Sequence, residues 1–336
     1  VLTVSSSPHV RCNESIPKIM WTVVATLVPA AAFGVYYFGF NALLNIIVSI
    51  VSAVFFEWAW EKFMHKKITI NDGSAVITGL LLAMCCSPIL PWWMCIVGSF
   101  IAIVVCKQAM GGLGYNLFNP AHVGRAGLMV SWPVAMTTWT QVNGSVIDGV
   151  AGATPLNVLK QSGYDALLQL FNNDPMTMYQ NMFLGFRNGS MGETSTVLLI
   201  LGGLFLMYKG YVKWQATVAM IATVGILMWV FGGAVGAHAT GGLFTGDPIF
   251  HMMAGGLIIG AFFMSTDMVT APITLKGQLI FAVGAGVLTV LIRLLGGYPE
   301  GVCYSILLMN AVTPLIDLTV KPRIFGSVKV KAKEAE

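Results

Sequence analysis

Apolar stretches recur along the whole chain, at about 18–38, 41–61, 74–90, 91–107, 121–138, 195–209, 213–232, 251–265, 278–295 and 299–317, and this recurrence decides the class of fold. Each stretch is long enough, with tilt, to cross or nearly cross a hydrocarbon core of ~30 Å. With 56% hydrophobic and 10% charged residues, a soluble domain of this sequence would expose a prohibitive apolar surface. The chain therefore reads as an all-α polytopic membrane protein with about ten spans. Pro88 and Pro91 fall between the third and fourth, so a re-entrant pair is an alternative there. Nothing at the start has the pattern of a cleaved signal peptide, and the first span would serve as its own insertion signal.

Given ten spans, charge decides orientation. Arg11, Lys18, Lys62, Lys66, Lys67, Lys107, Arg125, Lys209, Lys213, Lys276, Lys321, Arg323, Lys329, Lys331 and Lys333 fall on the side of the N-terminus; Lys160, Arg187 and Arg293 fall on the other. The positive-inside rule then puts both termini in the cytoplasm and the long 139–194 interval outside. The organisation expected is a first membrane half over 1–138, an outer loop over 139–194, a second membrane half over 195–320 and a basic cytoplasmic tail over 321–336. The basic balance belongs to inner loops and the tail, so it calls for no nucleic acid. Cys12, Cys85, Cys86, Cys95, Cys106 and Cys303 lack C-x-x-C spacing and read as thiols in apolar surroundings, with no complete metal site. Trp92, Trp93, Trp132 and Trp139 near span ends suit an interfacial belt.

Two halves of the sequence resemble each other. Asp72-Gly-Ser-Ala-Val-Ile-Thr78 precedes a span, Lys107-Gln-Ala-Met-Gly-Gly-Leu-Gly114 follows, and Asn119-Pro-Ala comes next. Thr266-Asp267, Arg293-Leu-Leu-Gly-Gly-Tyr298 and Asn310-Ala repeat that order. Five spans per half would invert the second half against the first, an arrangement that places a pathway or site at the interface of the halves. Pro120, Pro272, Pro299 and Pro314 are candidate helix breaks.

The outer interval carries the run Asp148-Gly149-Val150-Ala151-Gly152-Ala153-Thr154-Pro155. Thr followed by Pro is the preferred N-cap and N1 pair of a helix, here one beginning at Leu156, and it presents an exposed hydroxyl. A capping role for Thr154 accounts for the pair. A phosphoryl group on the same hydroxyl would also sit beside unpaired N–H groups and the positive end of the helix dipole.

Asp-x-x-(Ser/Thr)-Gly-Ala-Thr is similar to the sequence on which a flavin transferase places FMN through a phosphoester. Asp148, Gly152, Ala153 and Thr154 match it, while Ala151 stands where Ser or Thr is usual. Further segments include Ser6-Ser7-Pro8-His9, Asn71-Asp-Gly-Ser-Ala-Val-Ile-Thr-Gly-Leu-Leu-Leu-Ala83, Pro91-Trp-Trp-Met94 and Lys107 to Ala121. Ser131-Trp-Pro133, Phe262-Phe-Met-Ser-Thr-Asp267 and Gly296-Gly-Tyr-Pro-Glu-Gly-Val302 complete them. Together they resemble the RnfD/NqrB family of Rnf and sodium-pumping electron-transport complexes, over almost the whole chain. The resemblance implies a bacterial inner-membrane subunit of an ion-translocating ferredoxin:NAD+ oxidoreductase, with FMN bound covalently to Thr154 on a periplasmic loop. It also implies partner subunits RnfA, RnfB, RnfC, RnfE and RnfG, a flavin transferase for maturation, and riboflavin as a further cofactor of the wider family. The subunit would be no complete enzyme, since it has no NAD motif and no cysteine set for an iron–sulfur cluster.

Other residues carry two readings each. Gly192, Glu193 and Thr194, in Gly189-Ser190-Met191-Gly192-Glu193-Thr194-Ser195, suit a helix start or a flavin contact. Asp72, Asn119 and Asp267 recur at matching places and suit an ion path or ordinary caps. Glu57 and Glu61 lie on one helix face and suit interhelical pairing, Glu61 with a basic residue near the membrane surface. Asp317 suits an anchor for the basic tail. Gly111-Gly112-Leu113-Gly114 lacks the context of a phosphate loop and suits a helix break. His122, His238 and His251 have no metal-ligand spacing. A small-solute channel or secondary transporter with inverted repeats and no cofactor is the competing function; the Thr154 context is what separates the two.

Overall fold

A computed structural model describes residues 14–139, 153–234 and 241–322, which include Thr154 but neither Asp148, Gly152, His238 nor Cys12. Every one of the ten apolar stretches contains helix, and no strand occurs among the described residues. Helix α1 runs Ile16–Phe38, with Pro17 in its first turn, and ends at Gly39, whose φ of 81° turns the chain directly into α2, Phe40–Phe63. After a connection come α3 (Ser74–Met84), α4 (Trp92–Phe100, continued as a π-helical segment Ile101–Gln108), α5 (Pro120–Ser131) and the short α6 (Pro133–Thr137). The interval after α6 contains α7 (Pro155–Gln169) and α8 (Pro175–Leu184). The second half contains α9 (Thr196–Tyr208), α10 (Trp214–Phe231), α11 (Pro248–Met253), α12 (Leu257–Ile259, continued as a π-helical segment Gly260–Met264), α13 (Leu275–Leu295) and α14 (Val302–Thr319).

Five helices, α1, α2, α10, α13 and α14, are long and apolar enough to cross a membrane. The other five stretches are shorter or interrupted. The 11 residues of α3 rise only roughly 16 Å at 1.5 Å per residue, so the third stretch crosses half the apolar layer as helix. Among the proposed breaks, Pro120 begins α5, and Pro272 and Pro299 lie in the connections before α13 and α14. Pro314 differs: it lies inside α14, which continues through it.

In the first half α2 packs on α3 and α4, and α4 with its π segment packs on α5. In the second half α10 packs on α11 and α13, and α13 packs on α14. Across the halves α1 meets α9 and α5 meets α14. Small residues permit these crossings. A Cβ added to Gly79 of α3 would lie 2.7 Å from the Ser49 carbonyl of α2, and one on Gly124 of α5 would lie 2.7 Å from the Gly98 carbonyl of α4.

Hydrogen bonds sort the connections into two sets. Trp21 donates to the Asn71 carbonyl (3.3 Å), Tyr211 to Glu14 (2.6 Å), and the Ile273 N–H to Asp317 (3.1 Å), joining one end of the bundle. Ser87 donates to the Thr138 carbonyl (2.8 Å), Arg187 to Met253 (2.6 Å) and Tyr179 to Asp247 (2.7 Å), joining the other. At that second end α7, α8 and α11 share a separate apolar core of Leu156, Leu167, Phe171, Met178, Met182, Phe250 and Ala254. It is this layer that positions Thr154.

Several sequence expectations are corrected by packing. Trp139 is buried, whereas Trp92 and Trp93 are exposed as a belt requires. Among the described residues Glu61 has no basic partner; its carboxylate accepts from the Thr69 N–H (2.9 Å) and hydroxyl instead. Arg125 sits along α5, not in a connecting loop, and pairs with Glu300, which precedes α14. Asp317 holds the Ile273 N–H of the neighbouring connection. Cys85, Cys86, Cys95, Cys106 and Cys303 are buried free thiols, as expected.

Candidate functional site

Thr154 caps α7. Its φ/ψ of −66°/151° is extended, its Oγ accepts from the Asn157 N–H at 3.2 Å, and Pro155 occupies the first helical position. The hydroxyl hydrogen has no acceptor among the described residues, so replacing it breaks no hydrogen bond there. One expectation fails: Thr154 is 3% exposed, not open to solvent. Ala153 beside it is half-buried; Asp148 and Gly152 lie outside the described residues.

The docking is specific. A Cβ on Gly255, which has a φ of 66°, would lie 3.6 Å from Leu156 Cδ2 and 3.1 Å from Arg293 Nη2, so both side chains pack close to that glycine. One turn on, Lys160 donates to the carbonyls of Gly296 and Tyr298, and its partial burial lowers the ammonium's pKa. Gly163, at φ 86°, breaks α7 after its second turn. Tyr179 and Tyr164 of α8 and α7 converge on Asp247, the cap of α11, and burial raises both phenols.

The turn Met191–Glu193 lies deeper, and it shares no hydrogen bond or ion pair with Thr154. Gly192 is in close backbone contact: a Cβ there would lie 2.9 Å from the Met84 carbonyl. Ser190 donates to Glu193 (2.9 Å), Thr194 donates to the Met191 carbonyl (2.7 Å), and Ser195 is the residue that caps α9, accepting from Leu198 N–H at 3.3 Å. Glu193 lines a small internal cavity with Arg125, His122, Cys85, Cys303 and Glu300. Both ring nitrogens of His122 are buried there without a partner.

A larger cavity of about 100 Å³ lies towards the other end, with Lys107, Asn116, Asn119, Phe262, Phe263 and Asp267 in its wall. Two of the three ion-path candidates, Asn119 and Asp267, therefore share one cavity. Each also serves as a cap or loop acceptor: Asn119 accepts from Ala121 N–H (3.1 Å) and Asp267 from Thr270 Oγ1 (3.1 Å). Asp72 accepts from the Ser74 N–H (2.8 Å) and hydroxyl (2.6 Å) instead of lining the space. Behind Ser74, Lys107 is ion-paired with Glu57 at 2.6 Å, and Gln108 donates to the same carboxylate at 2.9 Å. Lys107 and Gln108 end the π-helical segment, whose wider turn brings both onto α2.

The sequence pointed to Glu193 but not to the buried cluster it forms with Arg125, Arg187, Arg293 and Glu300. The signal available was the position of Arg125 and Arg293 inside apolar stretches, where an ionisable residue requires a partner. Among the described residues no group of His, Cys, Asp and Glu could hold a metal ion.

The sequence matches the family model described as NQR2, RnfD, RnfE over residues 3–326. It is 63% identical, over 97% of both chains, to the D subunit of the proton-translocating ferredoxin:NAD(+) oxidoreductase complex of Clostridium ljungdahlii. To the D subunit of the Na(+)-translocating ferredoxin:NAD(+) oxidoreductase complex of Acetobacterium woodii it is 43% identical, over 100% of this chain and 98% of the relative. To the D subunit of the ion-translocating oxidoreductase complex of Stutzerimonas stutzeri it is 38% identical, over 94% and 93%. With a match from near one end to the other at this level of identity, the chain belongs to the NQR2, RnfD, RnfE family.

Proposed function

We propose that this chain is the D subunit of an ion-translocating ferredoxin:NAD+ oxidoreductase and relays electrons through FMN esterified to Thr154. The subunit assignment rests on 63% identity over 97% of the chain to a protein of that name. The cofactor assignment rests on Thr154 Oγ: a hydroxyl at a helix N-terminus, with its hydrogen uncommitted among the described residues and Ala153 preceding it. Bound there, the flavin would supply one- and two-electron chemistry. The chain's own part is to fix that carrier in place. Pro155 presets the first turn, the Asn157 N–H holds Thr154 Oγ in place, and Leu156 and Lys160 hold α7 to the end of α13. Because Thr154 is buried, the groups covering it must part for a transferase to reach its oxygen.

In this reading the protein lies in the bacterial inner membrane with both termini cytoplasmic and α7 on the periplasmic side. It works with RnfA, RnfB, RnfC, RnfE and RnfG. The packing order supports two inverted five-element repeats: second on fourth, fourth on fifth in each half, with first meeting first and fifth meeting fifth between halves. Riboflavin is proposed as a second cofactor by analogy with the wider family, with no residues of this chain assigned to it.

The deciding experiment compares wild type with Thr154→Val, each expressed with a flavin transferase and separated by denaturing electrophoresis under ultraviolet light. A fluorescent wild-type band and a dark variant band are expected. A dark wild-type band, with the transferase active on another substrate, would overturn covalent FMN and leave Thr154 as a helix cap.

A further inference from the structure

Lys62, Lys66 and Lys67 follow one another from the last turn of α2 into the connection to α3, and every residue from 62 to 69 is exposed. None of the three ammonium groups has a carboxylate at ion-pair distance among the described residues. The acids nearest in sequence are engaged elsewhere: Glu57 by Lys107, Glu61 by the N–H and hydroxyl of Thr69, and Asp72 by Ser74. At the same end of the bundle Glu14 is held by Lys18 (2.7 Å) and Tyr211 (2.6 Å), and Asp317 by the Ile273 N–H. The positive charge of this connection is therefore left to an outside partner.

The backbone holds these charges in place. The Lys66 N–H donates to the Glu61 carbonyl (2.8 Å) and the His65 N–H to the Lys62 carbonyl (3.2 Å), with His65 at a φ of 51°, which closes α2 in a left-handed cap. The Glu61 carboxylate then draws Thr69 back to the helix end, so the lysines stand on a closed turn.

Apolar side chains share that turn: Phe63, Met64 and Ile68 are 77%, 47% and 50% exposed. Below it, Ile47, Val51 and Phe55 are exposed along α2 at helical spacing, and Trp58 and Lys62 continue the same face. The Lys62 ammonium lies 4.8 Å from the centre of the Trp58 ring, where an indole at a membrane–water boundary sits level with lipid headgroups. A lipid-facing stripe thus runs without interruption into three unpaired ammonium groups. An acidic protein surface would match the charge but not that continuity. We propose that the connection between α2 and α3 binds an anionic phospholipid in the leaflet where α2 ends. Lys62, Lys66 and Lys67 meet its phosphate, and Phe63, Met64 and Ile68 meet the glycerol and upper acyl region.

Heating the protein, purified with its partner subunits in a neutral detergent, tests this. Dioleoylphosphatidylglycerol or dioleoylphosphatidylcholine is added, and the temperature at which this chain leaves solution is read by immunoblot. The two lipids share their acyl chains and differ in headgroup charge. In wild type, phosphatidylglycerol is expected to raise the temperature by several degrees more than phosphatidylcholine does. With Lys62→Gln, Lys66→Gln and Lys67→Gln together, that difference should fall by half or more. It should persist when Lys209→Gln, Lys213→Gln and Lys276→Gln remove the same charge from other connections. Arginine at positions 62, 66 and 67 should preserve it, because a guanidinium also pairs with phosphate; this variant separates loss of charge from damage to the turn. No difference between the lipids in wild type overturns the proposal. Equal falls in the two glutamine variants also overturn it, in favour of diffuse attraction to a basic surface. Loss of a partner subunit from the Lys62, Lys66 and Lys67 variant, with the lipid difference intact, would assign the turn to an acidic protein instead.

Discussion

Glu57 and Lys107 show what a single residue can and cannot disclose in an apolar sequence. Both side chains are nearly inaccessible, at 1% and 2% exposed, and Lys107 bridges Glu57 to Ser74 at 2.6 Å on each side. Removing one partner strands the other charge, so Lys107→Met should destabilise by about 3–5 kcal/mol, and adding Glu57→Gln should restore most of the loss. Thermal unfolding of the detergent-solubilised single and double variants checks this; a double variant no more stable than the single would show that the pair is not the relevant unit. The pairing of Glu57 was legible because a carboxylate inside a span demands a partner. The identity of the partner was not, because Lys107 reads in sequence as one more inner-loop charge and reaches α2 only through a π-helical turn. Thr154 divides in the same way: Thr-Pro announces the cap, but nothing local announces that the residue is buried.

At the scale of elements, hydropathy located every apolar stretch and overstated the length of half of them. A sliding window averages across Cys85 to Pro91 and across Ala254 to Gly256, where the chain remains apolar but is no longer helical. Helix contacts depend on glycines whose role is invisible without a partner. Gly79→Ala would set a methyl 2.7 Å from the Ser49 carbonyl and 2.8 Å from Ile50 Cα, both backbone, so α2 and α3 must separate. A loss of about 1–3 kcal/mol is expected, against little change for Gly297→Ala, where nothing lies within 4 Å; matched melting curves would show whether the contrast holds. Helix α8 carries a pH-dependent term. The Thr177 hydroxyl, followed by the N–H groups of Met176 and Thr177, holds the exposed Asp174 carboxyl below its usual range. A depressed folded pKa stabilises above the unfolded value of about 3.9 and is lost as pH falls through the folded value. The stability difference between wild type and Asp174→Asn should therefore be constant near neutrality and shrink in strong acid. A difference that persists unchanged below pH ~2 would remove Asp174 ionisation as its cause.

For the whole molecule, two independent patterns bear on one arrangement. The packing order repeats between halves, with α1 against α9 and α5 against α14, and the connecting segments are tied by hydrogen bonds into two opposite sets. The lysines and arginines of the connecting segments concentrate in one of those sets, and that bias survives removal of Lys107 and Arg125, which the fold buries in ion pairs. Charge in short loops sets orientation as the helices insert, so the basic set should face the cytoplasm and α7 and α8 the periplasm. This topology is open to direct measurement because the five described cysteines are buried and poor targets for an aqueous maleimide. In a Cys12→Ser background, Asn172→Cys between α7 and α8 should react with a membrane-impermeant maleimide in intact spheroplasts. Lys67→Cys, between α2 and α3, should react only in inverted vesicles. The reverse pattern would put Thr154 on the cytoplasmic face and move any flavin there to the side of the soluble electron carriers. Labelling of both positions from one side would instead require an odd number of crossings between residues 67 and 172 to be given up, and with it the inverted relation of the two halves.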